Sequence, residues 1–219
     1  WVRSEYPPQE PLWHGKRYGH GRIRLAYVSG DFGDHPVLKL MAGVFERRDR
    51  DAFETFAISF GDDDGSLLRQ RAAAAFDHFI DASGKTDFEI ARLMHGMEVD
   101  IAVDLMGFTG KSRHGIMRHR PAPVQAQFLG FAGTMGSDHI DYLIADAMVA
   151  PPSDADYYKE KIAYLPGSYM PHDEARAIAP VPSRNDAGLP EGAFVFCAFN
   201  NAYKFSRAMF AAWMRILRA

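Results

Sequence analysis

From Ile23 onward the sequence alternates short apolar runs of strand character with segments of helical period. That pattern belongs to βαβ units laid into a mostly parallel sheet. The runs Ile23–Val28, Thr55–Ser59, Ile101–Leu105, Val124–Phe128, Tyr142–Ala145, Ile162–Leu165 and Phe194–Phe199 predict strands. Val37–Phe45, Ser66–Phe76, Asp87–His95 and Ser206–Leu217 predict helices. Residues 1–21, with Pro7, Pro8, Pro11 and Trp13, show neither period and read as a linker or docking segment. Residues 22–174 form the main α/β unit, and residues 175–192, with Pro180, Pro182 and Pro190, form a linker between lobes. A second unit opens at residue 193 and stops at Ala219 with its helical pattern uncapped, as if begun and not finished.

With 219 residues, 47% of them hydrophobic and 24% charged, the chain can bury a sizeable core. A formal net charge of -3 and a pI near 6.3 argue against a dedicated nucleic-acid binder, which needs a basic face. No apolar stretch reaches the roughly 18 residues of a membrane span. The amino terminus lacks the basic and apolar regions of a secretory signal, a statement about this piece only, since it begins with Trp1. Cys197, in the apolar run Phe194–Phe199, reads as a small buried hydrophobe with no disulfide partner in the chain, which fits a reducing cytosol.

Chemistry is expected where strands end. The segment from Arg24 to Pro36 is a strand followed by a Gly-punctuated turn into a helix, and open parallel sheets bind ligands outside the carboxyl ends of their strands. Pro36 suits a first helical position, so His35 sits at the positive end of the helix dipole, where a neutral ring is favoured. Such an imidazole either takes a proton from an acceptor hydroxyl or simply caps the helix. Gly130, Gly133 and Gly136 enclose Thr134 after another strand, which suits either close approach of backbone amides to a ligand or a loop needing positive φ. Lys204 and Asn201 follow the last predicted strand, where an ammonium can neutralise a diphosphate leaving group or be a solvated lysine.

Three further segments stay open between a chemical and a structural role. His78 enters a short apolar segment and reads equally as a catalytic or a packed histidine. Arg113, His114, Arg118, His119 and Arg120 form a basic stretch suited to phosphate or an acidic peptide, or to a solvated helix face. Asp62-Asp63-Asp64-Gly65 is expected to cap the following helix, ahead of a metal-binding role. No spacing among His, Cys, Asp and Glu resembles a zinc site, and no Walker or nucleophile-elbow sequence is present.

Taken in order, Val28-Ser29-Gly30-Asp31-Phe32-Gly33-Asp34-His35-Pro36, Asp63-Asp64-Gly65, His78-Phe79-Ile80-Asp81, and Arg120-Pro121-Ala122-Pro123-Val124-Gln125-Ala126 are similar to the catalytic region of the protein O-GlcNAc transferase family. So are Leu129 to Gly136, Asp141-Tyr142 with Asp146, Glu160 to Pro166, and Phe199-Asn200-Asn201-Ala202-Tyr203-Lys204. The resemblance runs from about Ile23 to the end. It implies the N-terminal, Rossmann-like lobe of a GT-B glycosyltransferase with the start of the donor-binding C-terminal lobe, and the short linker favours a bacterial member. It implies inverting, metal-independent transfer of N-acetylglucosamine from UDP-GlcNAc to Ser or Thr hydroxyls of proteins, in the cytoplasm, with no cofactor.

By the same resemblance His35 matches the histidine proposed as base, Lys204 the lysine on the UDP diphosphate, and Asn201 a donor contact. His78, Arg113, Gly130, Gly133 and Thr134 fall near acceptor or sugar. Asn201 stands where animal members have Gln, and Val37-Leu38-Lys39 lacks their further histidine. Family members carry tetratricopeptide repeats ahead of the catalytic region as acceptor selectors. A relative using another donor on the same fold, such as a protein O-fucosyltransferase or an N-glucosyltransferase, and a non-catalytic binding module are the alternatives.

Overall fold

The computed structural model describes residues 2–7 and 9–218; Trp1, Pro8 and Ala219 lie outside the described residues. The chain divides into two compact units, the first running to Arg176 and the second from Ala177. The first unit holds a seven-stranded sheet of β1 (Ile23–Ser29), β2 (Phe53–Ser59), β3 (His78–Asp81), β4 (Ile101–Asp104), β5 (Val124–Phe128), β6 (Tyr142–Ala145) and β7 (Lys161–Tyr164). All neighbouring strands are parallel, in the order β3-β2-β1-β4-β5-β6-β7. The Rossmann-like α/β expectation is therefore met, and the strand order reverses between β1 and β4, the point at which loops diverge and leave a crevice.

Around the sheet lie a short turn of helix α1 (Val2–Glu5) and the longer helices α2 (Pro36–Glu46), α3 (Leu67–Ala75) and α4 (Asp87–Gly96). Two apolar layers follow from the period-2 alternation of the strands. Ala26, Val28, Phe56 and Ile58 pack with Ile90, Ala91 and Met94 of α4. Tyr27, Ala57 and Val103 pack with Leu38, Met41 and Phe45 of α2 and Ala72 of α3.

Helix starts are fixed locally. Pro36 occupies the first turn of α2, and Ser66 caps α3 by accepting from the Arg69 amide. Thr86 and Glu89 form a reciprocal capping box on α4. The acidic run before α3 is therefore not its cap, as the sequence led one to expect. Asp63 and Asp64 instead bind loop amides at Gly65 and Ser66, because Ser66 alone has the spacing to reach the third helical amide.

Strand β3 was not anticipated; at four residues, with a polar residue at each end, it shows no alternation to read. Conversely, the predicted strand Phe194–Phe199 does not form. Its aromatic residues are exposed, and a strand is held by ladder bonds to neighbours, of which the second unit has none among the described residues. Cys197 is accordingly exposed rather than buried. The second unit consists of turns, a short 3-10 helix (Ala202–Lys204) and α5 (Arg207–Ile216), capped by Ser206.

The amino-terminal segment lies along the first unit, where the Leu12 and Trp13 amides donate to the His119 and Arg120 carbonyls at 2.8 and 3.0 Å. Replacing Thr86 with Ala should remove the hydroxyl arm of the α4 capping box, leave the backbone amide of residue 86 bonded to Glu89, and lower stability by about 1 kcal/mol. Urea denaturation of the two proteins measures this, and superimposable curves would show that the hydroxyl arm contributes nothing.

Candidate active site

The crevice at the strand-order reversal is walled by the loop after β1 and the loop after β4. In the first, His35 caps α2, its Nδ1 lying 3.3 Å from the Val37 amide nitrogen and 3.3 Å from Asp31 Oδ2. The ring is 46% exposed. Asp34 behind it pairs with Lys39 at 2.7 Å.

The loop is held from beneath by Arg69, whose guanidinium donates to the Phe32 carbonyl at 2.8 Å and the Ser59 hydroxyl at 2.9 Å and pairs with Asp63 at 3.0 Å. Asp64 accepts from the Asp34 amide at 2.5 Å and the Ser66 amide at 3.0 Å, bonds that hold its carboxyl down at about 2. Gly61 has to be glycine here: a Cβ would lie 2.0 Å from the Gly30 carbonyl oxygen.

In the second wall Asp104, at the end of β4, accepts from the amides of Met106 and Gly107 at 2.9 and 3.1 Å. Burial pushes its carboxyl up to about 6, the two amides pulling the other way. Beyond it, Lys111 adopts a φ of 63° at the tip of the loop, and its charge acts on Asp31. Arg113, expected near the substrate, spends its fork on the Asp87 carboxylate at 2.7 Å and the Lys85 carbonyl at 2.8 Å, with its guanidinium over the Phe60 ring.

The Gly-rich loop after β5 leaves the same end of the sheet at Gly130 and runs back toward the amino end of β6 and β7. Gly130 packs where a Cβ would meet the Leu105 carbonyl oxygen at 2.2 Å, Gly133 sits against the Phe131 ring, and Gly136 has a φ of 59°. Close backbone approach and positive φ both shape it. Thr134 donates to the buried Glu160 at 2.7 Å, while Glu160 also accepts from the Met135 amide at 2.8 Å. Thr134 thus anchors the loop.

His78 does not join this group. It is the first residue of β3, at the amino end of the sheet, bonded to Glu54 at 2.9 Å and stacked on Phe56. The basic stretch is likewise turned inward: His114 and His119 are buried, and Arg120 is bonded to Asp141. Burial lowers the His114 imidazole to about 4. Asn201 and Lys204 belong to the second unit, where Asn201 precedes the 3-10 helix and Lys204 lies 6.0 Å from the Tyr203 ring centre; both are exposed.

Residues 8–179 and 171–219 match the family model described as Glycosyl transferase family 41. The chain belongs to glycosyl transferase family 41. Among its relatives is a probable UDP-N-acetylglucosamine–peptide N-acetylglucosaminyltransferase SEC of Arabidopsis thaliana, 36% identical over 206 residues, which cover 91% of this chain and 21% of that protein. A UDP-N-acetylglucosamine–peptide N-acetylglucosaminyltransferase of Caenorhabditis elegans is 34% identical over 77% of this chain and 15% of its own length. The solved structure of a Thermobaculum terrenum O-GlcNAc transferase mutant superimposes with a TM-score of 0.70 at 31% identity, covering 82% of this chain and 36% of that one. The family 41 chain described here therefore spans about a fifth of the curated relatives' length and about a third of the solved one.

The site's buried carboxyl gives a test. Because Asp104 is raised above the usual 3.8, the unfolded chain releases this proton first, so its contribution to stability falls as pH rises from about 4 through 6. Asp104→Asn should remove that slope. The wild-type stability measured against the variant's should decline by roughly 3 kcal/mol between about pH 4 and 7, at ~1.4 kcal/mol per pKa unit. Parallel curves in urea titrations across that range would contradict it.

Proposed function

We propose that the protein carrying this chain is an inverting glycosyltransferase that moves N-acetylglucosamine from UDP-GlcNAc to Ser or Thr hydroxyls of proteins. The supporting observation is the half-exposed imidazole of His35 at the mouth of the strand-reversal crevice, in a chain whose relatives are named for this transfer. Inversion requires the hydroxyl to attack the anomeric carbon from the face opposite UDP, to lose its proton, and to meet a stabilised leaving group. His35 takes the hydroxyl proton. For Lys204 and Asn201 the corresponding roles are charge compensation and contact at the diphosphate.

Gly130 and Gly133 shape the acceptor side rather than touching the reacting atoms, Thr134 anchors their loop through Glu160, and Arg113 buttresses the wall through Asp87. No cofactor or metal enters: Asp63 and Asp64 are engaged with Arg69 and with loop amides. Tetratricopeptide repeats ahead of this region would select acceptors. A cytoplasmic setting agrees with one cysteine in 219 residues and with described helices none of which is long and apolar enough to cross a membrane.

The full-length protein should transfer labelled sugar from UDP-GlcNAc to Ser or Thr. His35→Ala should lower kcat by about 10²–10⁴-fold and Lys204→Ala by about 10²–10³-fold, with folding intact by circular dichroism. Transfer from GDP-fucose or UDP-glucose alone would overturn the donor assignment. Absence of transfer from all three would make the chain a binding module.

A further inference from the structure

The crevice holds an arrangement that the reaction as described leaves unused: a carboxylate behind the imidazole. Asp31 Oδ2 and the Val37 amide nitrogen each lie 3.3 Å from the same atom, His35 Nδ1. They make opposite demands. The amide is a donor and needs a lone pair on Nδ1, which puts the ring proton on Nε2. The carboxylate is an acceptor and needs the proton on Nδ1, which leaves the lone pair on Nε2. The ring satisfies one at a time, and with Nδ1 engaged either way, only the second tautomer offers Nε2 as a base.

Three observations favour the carboxylate. The two contacts are equally long, but an amide in the first turn of a helix has no intrahelical partner to lose, so water replaces the ring there at little cost. A hydrogen bond to an ionised carboxylate is roughly twice as strong as one between neutral groups. Finally, the charge of Lys111, on the loop after β4, acts on Asp31 in the direction that favours the carboxylate. Burial raises the Asp31 carboxyl above its usual range, and the charges of His35 and Lys111 oppose that rise without cancelling it. Lys111 holds a left-handed backbone conformation that residues with a side chain seldom adopt. The neighbouring charges, Asp34 before α2 and Lys39 on it, pair with each other.

We propose that Asp31 is a positioning residue for transfer: its carboxylate accepts a hydrogen bond from Nδ1–H of His35, fixing the tautomer whose Nε2 lone pair receives the acceptor's proton. This rests on the reading of His35 as the base. In the step, the hydroxyl oxygen forms the bond to the anomeric carbon. The bond from that carbon to the β-phosphate oxygen breaks, its electron pair leaving on UDP, and the hydroxyl proton passes to Nε2. The imidazolium so formed keeps its Nδ1 proton directed at Asp31, which stays a carboxylate throughout.

The tautomer can be read without any activity. In nitrogen spectra of histidine-labelled chain at about pH 8, where an ordinary imidazole is neutral, His35 should show a protonated Nδ1 and an unprotonated Nε2. His35→Gln assigns the signals. Asp31→Asn, whose amide can donate to Nδ1, should exchange the two, and Asp31→Glu should keep the original pattern.

In the full-length protein Asp31→Asn should lower kcat by about tenfold to 100-fold while leaving KM for UDP-GlcNAc nearly unchanged. Asp31→Glu should recover part of the loss, and Lys111→Met should cost less than Asp31→Asn. A wild-type ring protonated on Nε2, or one whose pattern Asp31→Asn leaves unaltered, overturns the proposal. Should His35→Ala transfer sugar as fast as wild type, the role of His35 as base fails with its kinetic consequence, while the nitrogen pattern still decides whether Asp31 sets the tautomer.

Discussion

One buried guanidinium holds the mouth of the crevice in shape. Arg69 projects from α3 into the junction of three chain segments and meets a carbonyl of the β1–α2 loop, a hydroxyl at the end of β2 and a carboxylate of the β2–α3 loop. It also lies 5.0 Å from the centre of the Phe79 ring on β3. Each buried acceptor would cost about 1–3 kcal/mol if left unpaired, so the loops adopt the course that reaches the cation. Because Phe32 lies between Asp31 and His35, the carbonyl that Arg69 grips fixes the spacing of the pair. Asp64 fastens the same loop through the Asp34 amide, and Gly61 admits the close approach of the two loops.

The opposite wall is built by a different device. There Asp104 turns its carboxylate onto the second and third amides of the loop after β4, while Glu160, before β7, ties down the far part of the loop after β5. Carboxylates that accept from backbone amides thus hold loops at both ends of the sheet, Asp104 beside the crevice and Glu160 just before β7. His35 and Asp31, by contrast, meet at the mouth of the crevice as a titratable pair. The division between scaffold and reactive groups follows from burial: Arg69, Asp104 and Glu160 are buried, whereas His35 is half exposed.

Much of this was readable from the chain. Six strands and four helices fall within two residues of where alternation and period put them, since those patterns are local. Phe194–Phe199 has the composition of a strand yet forms none, because composition supplies propensity and pairing supplies the ladder. His35 was legible from a strand, a glycine turn and a proline at a helix start, all within eight residues. Arg69, Asp104 and Glu160 were not. The bond from Arg69 to Phe32 spans 37 residues and that from Thr134 to Glu160 spans 26, and nothing in either segment names the other. His78 was misplaced for a related reason: its motif is conspicuous, but only the register of β3 against β2 shows which end of the sheet it occupies.

The central claim is that the reactive loop is positioned by Arg69 rather than by its own sequence, and amide hydrogen exchange in Arg69→Met tests it most directly. Amides from Phe32 to Val37 and from Gly61 to Ser66 should lose protection, while those of β4 to β7 keep theirs, since the methionine preserves the apolar stem and removes only the cation. Unchanged protection in the two loops, or a uniform loss over the whole sheet, would contradict the account.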